Sequence, residues 1–178
     1  MELTWVLANA AALFLLWLFV AAGSSKLQRS NGNYYAVVFT GYGIPPGFWA
    51  QQLPKMVGLV EVIVGMMVVV PALRQWGAIA AAAILASYFL LVAWQLMQGK
   101  TGMDCGCAGP DDEIKISGHL LIRNLLLLAL ALFCLLSVGS SGVMPWVMSV
   151  LAASIMVLLY LSCEQLMVTA QRIKLLYR

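Results

Sequence analysis

Long apolar runs separated by short polar stretches divide the chain into five segments. The runs extend from about 5 to 22, 56 to 71, 76 to 97, 120 to 138 and 143 to 161. A helix needs about 20 mostly apolar residues to cross the hydrocarbon of a bilayer. The pattern therefore predicts an all-α polytopic membrane bundle, a single integral domain over residues 1–178, with a four-helix core and a fifth, C-terminal transmembrane helix.

The stretch from about 31 to 54, between the first two runs, is too short and too often interrupted to span the membrane. It contains Asn-Gly-Asn at 31–33 and a glycine- and proline-rich turn at 41–47, both signals that break regular structure. Tyrosine and tryptophan are typical of the membrane–water interface. We predict an interfacial cap whose aromatic members are Tyr34, Tyr35, Phe39, Tyr42 and Trp49.

Composition supports the membrane class and excludes others. Of the residues, 63% are hydrophobic and 10% charged, which leaves too little polar surface to cover a soluble domain. The net charge of +3 is spread among loops and one tail, so a basic surface for nucleic acid is not expected. The predicted surroundings are the lipid bilayer.

Candidate chemistry lies in the loop before the fourth run. Cys105-Gly106-Cys107 stands there among acidic and polar residues. Helix alternation places this loop, the link after the first run and the C-terminal tail at one end of the bundle, which we call the active face. Two cysteines one residue apart form a tight ring when bonded, and glycine eases the backbone angles that such a ring needs. Thiol–disulfide exchange, metal binding and an incidental pair are the three interpretations.

Four ionisable residues near the active face are candidates to support the thiols. Glu61 lies inside the second run, where an unpaired carboxylate is costly, and Lys26 or Arg123 could pair with it. His119 and Arg123 are four residues apart and share a helix face, close in sequence to the cysteines. We expect this group to set the pKa of the thiols or accept a proton, although an ion pair that only fixes helix packing is an alternative.

Several short motifs together resemble the MauE branch of the MauE/DoxX membrane proteins. They are Ala-Gly-Ser-Ser-Lys-Leu at 22–27, the aromatic link at 41–46, Gly-Leu-Val-Glu at 58–61 and Asp-Cys-Gly-Cys-Ala-Gly at 104–109. The resemblance implies thiol redox work, with a thioredoxin-like periplasmic partner of the MauD kind, in maturation of methylamine dehydrogenase or another disulfide-containing client. The four-helix core is also similar, as a fold-level analogy, to vitamin K epoxide reductase, which would make a quinone a candidate cofactor.

The same resemblance implies a bacterial inner-membrane protein with its cysteine pair on the periplasmic side. The distribution of basic residues argues the other way, because nine of ten lie on the active face and Arg74 on the other, and positive charge marks cytoplasmic loops. An exchange-active disulfide is easier to maintain outside the cytosol. We therefore expect the periplasmic side.

The sequence thus predicts a membrane thiol–disulfide oxidoreductase with Cys105 and Cys107 as the exchanging pair. Two alternatives remain. One is a copper or soft-metal transporter or metallochaperone that uses the same thiolates, and the other is a non-catalytic scaffold for the partner. The direction of electron flow, the roles of Cys134 and Cys163 and the oligomeric state are left open by the sequence.

Overall fold

The computed structural model describes residues 2–100, 104–106, 116–136 and 143–176. Its elements are helices throughout, which confirms the all-α prediction. They are α1 (Glu2–Leu27), α2 (Gly32–Gly41), α3 (Phe48–Val69), α4 (Arg74–Met97), α5 (Gly118–Phe133) and α6 (Val143–Leu176), with 3₁₀ turns at Arg29–Asn31 and Cys134–Leu136.

Four of these helices are long and apolar enough to cross a membrane. Their candidate spans are Leu3–Leu27, Phe48–Val69, Arg74–Met97 and Met144–Ala170. The apolar helix α5 has 16 residues and continues into the 3₁₀ turn after it. The protein is therefore a multi-pass membrane protein.

Helix α1 lies at the centre of the bundle. It packs against α3 along one side and α6 along another, while α4 joins α3 to α5. Small side chains fill its inner faces at Ala8, Ala10, Ala11 and Ala12, all of them 2% exposed or less. Small residues allow close helix contact in lipid, where packing replaces the hydrophobic effect as the force between helices.

Helices α1 and α3 approach most closely at a pair of glycines. A Cβ atom on Gly23 would lie 2.5 Å from the carbonyl oxygen of Gly58, and one on Gly58 would lie 2.8 Å from the carbonyl oxygen of Gly23. Neither position has room for a side chain without moving a backbone. This contact brings Lys26, one turn further along α1, close to Glu61 on α3.

The segment predicted as a single cap is divided between two helices. Residues 32–41 form α2, and α3 begins at Phe48, eight residues before the start predicted at 56. Pro54 lies inside α3 and is buried. The sequence suggested that this proline precedes the helix, but membrane helices tolerate proline where neighbouring groups compensate for its missing N–H.

Helix α6 is longer than the apolar pattern indicates. It has 34 residues and ends at Leu176, 15 residues beyond the predicted end at 161. At 1.5 Å per residue it is about 51 Å long, which exceeds the hydrocarbon thickness of about 30 Å. Polarity ends an apolar run, but it does not end a helix.

Candidate functional site

A buried ion pair joins α1 to α3 near the active face. The ammonium Nζ of Lys26 donates to both carboxylate oxygens of Glu61, at 3.1 Å to Oε1 and 2.9 Å to Oε2. The two side chains are 4% and 1% exposed. Of the two cations that the sequence suggested for Glu61, Lys26 is therefore the partner.

Aromatic side chains enclose this pair. The Tyr88 hydroxyl on α4 donates to Oε1 of Glu61. Lys26 Nζ also lies 5.7 Å from the ring centroid of Tyr88 and 5.9 Å from that of Tyr35. A cation this close to ring faces gains favourable electrostatic interaction. The charge of Lys26 is therefore stabilised by the two rings as well as by Glu61, and the charge of Glu61 by the Tyr88 hydroxyl as well as by Lys26. Sequence reasoning missed Tyr88, which stands in an apolar run with no polar neighbour except Ser87.

Helix α2 is attached over the active face by two tyrosines. Tyr35 is 1% exposed, and its hydroxyl shares a hydrogen bond of 2.9 Å with Ser25 on α1. Burial raises the pKa of Tyr35, and the bond to Ser25 opposes part of that rise. The Tyr42 hydroxyl, just after α2, donates to the backbone carbonyl of Cys105 at 3.2 Å.

The predicted cap residues therefore differ in their surroundings. Tyr34, Phe39 and Tyr42 are half-buried, whereas Trp49 is 59% exposed on the first turn of α3. Burial, with a smaller contribution from the Asp104 carboxylate, raises the pKa of Tyr42 to about 12. Its phenol stays protonated at neutral pH and can keep donating to the cysteine segment.

Cys105 is buried beneath α2 and is disulfide-bonded. Its neighbour Gly106 has a φ of 69°, in the left-handed region where side chains are unfavourable. A Cβ on Gly106 would also lie 2.8 Å from Cγ1 of Val38 on α2. Glycine is thus required here by backbone angle and by space. Cys107 lies outside the described residues.

A cavity of about 220 Å³ connects Cys105 to the ion pair, and we call it the Cys105 chamber. Its polar wall contains Lys26, Tyr42 and Tyr88, and its other walls are mainly apolar side chains of α2, α4 and the following turns. The structure therefore brings Cys105, Lys26 and Tyr88 around one space. Lys26 was predicted to support the cysteines, and Glu61 lies directly behind it.

A second ion pair joins α5 to α6. Arg123 on α5 donates to Oε1 of Glu164 on α6 at 2.7 Å, and the Tyr160 hydroxyl donates to the same oxygen at 3.1 Å. The Arg123 guanidinium carbon is 5.8 Å from the ring centroid of Tyr160. Arg123 thus has its own carboxylate and does not pair with Glu61.

His119 is exposed on the first turn of α5 and is not among the residues that line the chamber. Helix α5 begins at Gly118, two residues before the predicted start at 120, with Ser117 in the N-cap position. In its first turn, Leu120 is the buried side chain. Glu164 was missed because it comes just after the predicted end of the last run. Its spacing of four residues from Tyr160 was the available signal.

Cys134 and Cys163 are not among the residues that line the chamber. Cys134 is buried and forms no disulfide, and its sulfur lies 3.9 Å from the carbonyl oxygen of Ala8, near the opposite end of α1. Cys163 is a free, exposed thiol on α6. Within the described ranges, no three His, Cys, Asp or Glu side chains are grouped so as to hold a metal ion.

Comparison with known proteins identifies the family. The family model for methylamine utilisation protein MauE matches residues 3–137. The chain belongs to the MauE family. The match includes both members of the buried Lys26–Glu61 pair, the cap and the cysteine loop.

Relatives extend the similarity over most of the chain. The methylamine utilization protein MauE of Paracoccus denitrificans is 33% identical over 162 residues, which are 88% of this chain and 85% of the relative. The protein of the same name from Methylophilus methylotrophus is 29% identical over 164 residues, 90% of this chain and 85% of the relative. No solved structure gives a significant match, so the analogy with vitamin K epoxide reductase stays a prediction.

Proposed function

We propose that this MauE-family protein is a membrane thiol–disulfide oxidoreductase in which Cys105 and Cys107 cycle between disulfide and dithiol. The observation that carries the proposal is the position of Cys105. It is disulfide-bonded and 7% exposed, and it lines a chamber whose polar wall is Lys26, Tyr42 and Tyr88. Cys107 as its bonding partner is part of the proposal, supported by the fact that neither Cys134 nor Cys163 forms a disulfide.

The exchange needs no group beyond the two dithiol–disulfide pairs. A thiolate of one protein attacks a sulfur of the other protein's disulfide, which forms a mixed disulfide and releases one thiolate. The second thiol of the attacking pair then displaces the first, so that one disulfide forms as the other is reduced. Two electrons and two protons pass between the pairs, and the same steps run in either direction.

The surrounding groups have distinct roles in this scheme. The Lys26 ammonium faces the chamber and favours a thiolate over a neutral thiol there, and Glu61 keeps that ammonium in place. Tyr42 holds the cysteine segment through the Cys105 carbonyl and closes the chamber beneath α2. His119 and Arg123 as further proton acceptors for the thiols stay predictions.

The proposed partner is a thioredoxin-like periplasmic protein of the MauD kind, docking on the active face at the bacterial inner membrane. The family supports a role in methylamine utilisation, because the relatives carry that name. Methylamine dehydrogenase is the proposed client. A disulfide at Cys105 is easier to maintain in an oxidising compartment, which supports the periplasmic side against the distribution of basic residues.

Single cysteine variants test the proposal. We expect Cys105→Ser and Cys107→Ser each to abolish exchange with a reduced thioredoxin-like protein in lipid nanodiscs, while helix content by circular dichroism stays unchanged. Cys163→Ser is the matched control, because that thiol is free and exposed, and it should exchange like the wild type. Retained exchange in either of the first two variants would refute the assignment.

Two other measurements separate the alternatives. Copper bound in stoichiometric amount to the reduced protein, and lost in both single variants, would favour a metal carrier. Full methylamine-dependent growth of cells that carry the Cys105→Ser/Cys107→Ser double variant would show a scaffold without redox chemistry. We expect neither result.

A further inference from the structure

A second, smaller cavity lies between the two ion pairs, and we call it the polar cavity. Its volume is about 40 Å³. Apolar side chains form part of its wall, and charged or hydrogen-bonding groups form the rest. These polar groups are Lys26, Glu61, Tyr88, Arg123, Asn124 and Tyr160.

Two of the lining residues carry donors without an acceptor. Asn124 is 2% exposed, and its Nδ2 has no hydrogen-bond partner among the described residues. The same holds for Nε of Arg123. Buried polar groups in native proteins are nearly always paired with protein or with ordered water. The polar cavity therefore needs an occupant that accepts hydrogen bonds.

The charge of the lining decides which occupant fits. An anion would face the carboxylate of Glu61, and a metal cation would face the ammonium of Lys26 and the guanidinium of Arg123. Water avoids both conflicts, because it accepts from Asn124 and donates to Glu61. A buried water needs about 10–15 Å³ of such volume, so the polar cavity of about 40 Å³ has room for about three or four waters.

We propose that the polar cavity holds ordered water molecules that join the two ion pairs into one proton-transfer route. Its inner end is the Cys105 chamber, because Lys26 and Tyr88 line both cavities. Its outer end is Glu164, whose side chain is 14% exposed, compared with 1% for Glu61. The route thus leads from a carboxylate that is almost fully buried toward a more accessible one.

The role of this route rests on the proposed thiol–disulfide exchange. A thiol that attacks must first lose its proton, and the thiolate that leaves the other disulfide must gain one. The full reaction consumes no protons, but it needs a group that holds the proton after the attacking thiol loses it and before the leaving thiolate gains one. Cys105 is 7% exposed, so bulk water has little direct access to it. Asn124 is a positioning residue, which acts through the waters. Glu164 is reached through its hydrogen bonds with Arg123 and Tyr160.

Infrared difference spectra test the waters without any exchange partner. The spectrum of protein reduced with a phosphine minus that of oxidised protein is recorded in H₂¹⁶O and in H₂¹⁸O. We expect a water O–H band that shifts with ¹⁸O in the wild type and is lost in Asn124→Leu. Asn124→Ser, whose hydroxyl can still donate a hydrogen bond and which leaves more room, should retain the band. So should the control Leu125→Val on the exposed face of α5. A wild type without this band, or an unchanged band in Asn124→Leu, would overturn the proposal.

Exchange kinetics test the proton route itself. We expect Asn124→Leu to slow exchange by about 100-fold, the lower end of what a positioned proton-transfer group contributes, and to change the solvent deuterium isotope effect. Asn124→Ser should restore most of the rate. An unchanged rate and isotope effect in Asn124→Leu would refute the route. A protein that shows the water band but no exchange at all would refute the oxidoreductase assignment and leave the water site supported.

Discussion

Replacing one member of the Lys26–Glu61 pair should destabilise the protein far more than replacing both. Each charge is nearly inaccessible, at 4% and 1% exposed, so removing one partner leaves the other buried and uncompensated. Such single removals cost about 3–5 kcal/mol, whereas replacing both partners by apolar residues of similar size is often neutral. We expect Lys26→Met and Glu61→Met each to lower the free energy of unfolding by that amount.

The double variant Lys26→Met/Glu61→Met should lose much less than the sum of the singles. Its residual cost is about 1–3 kcal/mol, because the Tyr88 hydroxyl loses its acceptor on Glu61. Reversible unfolding in mixed micelles measures all three variants, and Leu125→Met, exposed on α5, is the control, expected within about 0.5 kcal/mol of wild type. If the sum of the two single effects lies within about 0.5 kcal/mol of the effect of the double variant, the two residues are not coupled and the reasoning fails.

Three further results are expected. Gly58→Ala should lower the free energy of unfolding by about 1–3 kcal/mol, because the new Cβ would lie 2.9 Å from Cβ of Lys26 and push α1 away from α3. An unchanged stability would contradict this packing. The Tyr42 phenol should ionise near pH 12, so its hydrogen bond to Cys105 persists through neutral pH and is lost as the pH rises toward 12. The difference in absorbance at alkaline pH between wild type and Tyr42→Phe measures this ionisation. Ionisation near pH 10 would refute the prediction. Gly106→Ala should destabilise the cysteine segment by about 1–2 kcal/mol, because alanine is unfavourable in the left-handed backbone conformation. An unfolding curve that overlays that of wild type would contradict this conformation.

Much of the fold was accessible from the sequence because apolar runs report directly on membrane spans. Helix ends were less accessible. The start of α3 at Phe48 required a buried proline within the helix, and the end of α6 at Leu176 required a polar continuation. Both depend on what lies beside the helix, which a single sequence does not state.

The site was predicted in part for a similar physical reason. A carboxylate such as Glu61 in an apolar run needs a partner, so the sequence indicated Lys26 or Arg123, and the structure shows that the partner is Lys26. Tyr88 and Asn124 carry no charge, and nothing in their own segments marks them as partners. Their positions arise from the packing of α4 against α3 and α5, which is a property of tertiary structure.

The central claim is that the disulfide at Cys105 trades electrons with another protein's thiols, and counting thiols by mass spectrometry tests it most directly. Oxidised protein in nanodiscs is mixed with a reduced thioredoxin-like protein, quenched with acid and alkylated. We predict that Cys105 and Cys107 each gain one alkyl group while the partner loses two. A Cys105 that stays unalkylated in folded protein, beside a partner that stays fully reduced, would contradict the account.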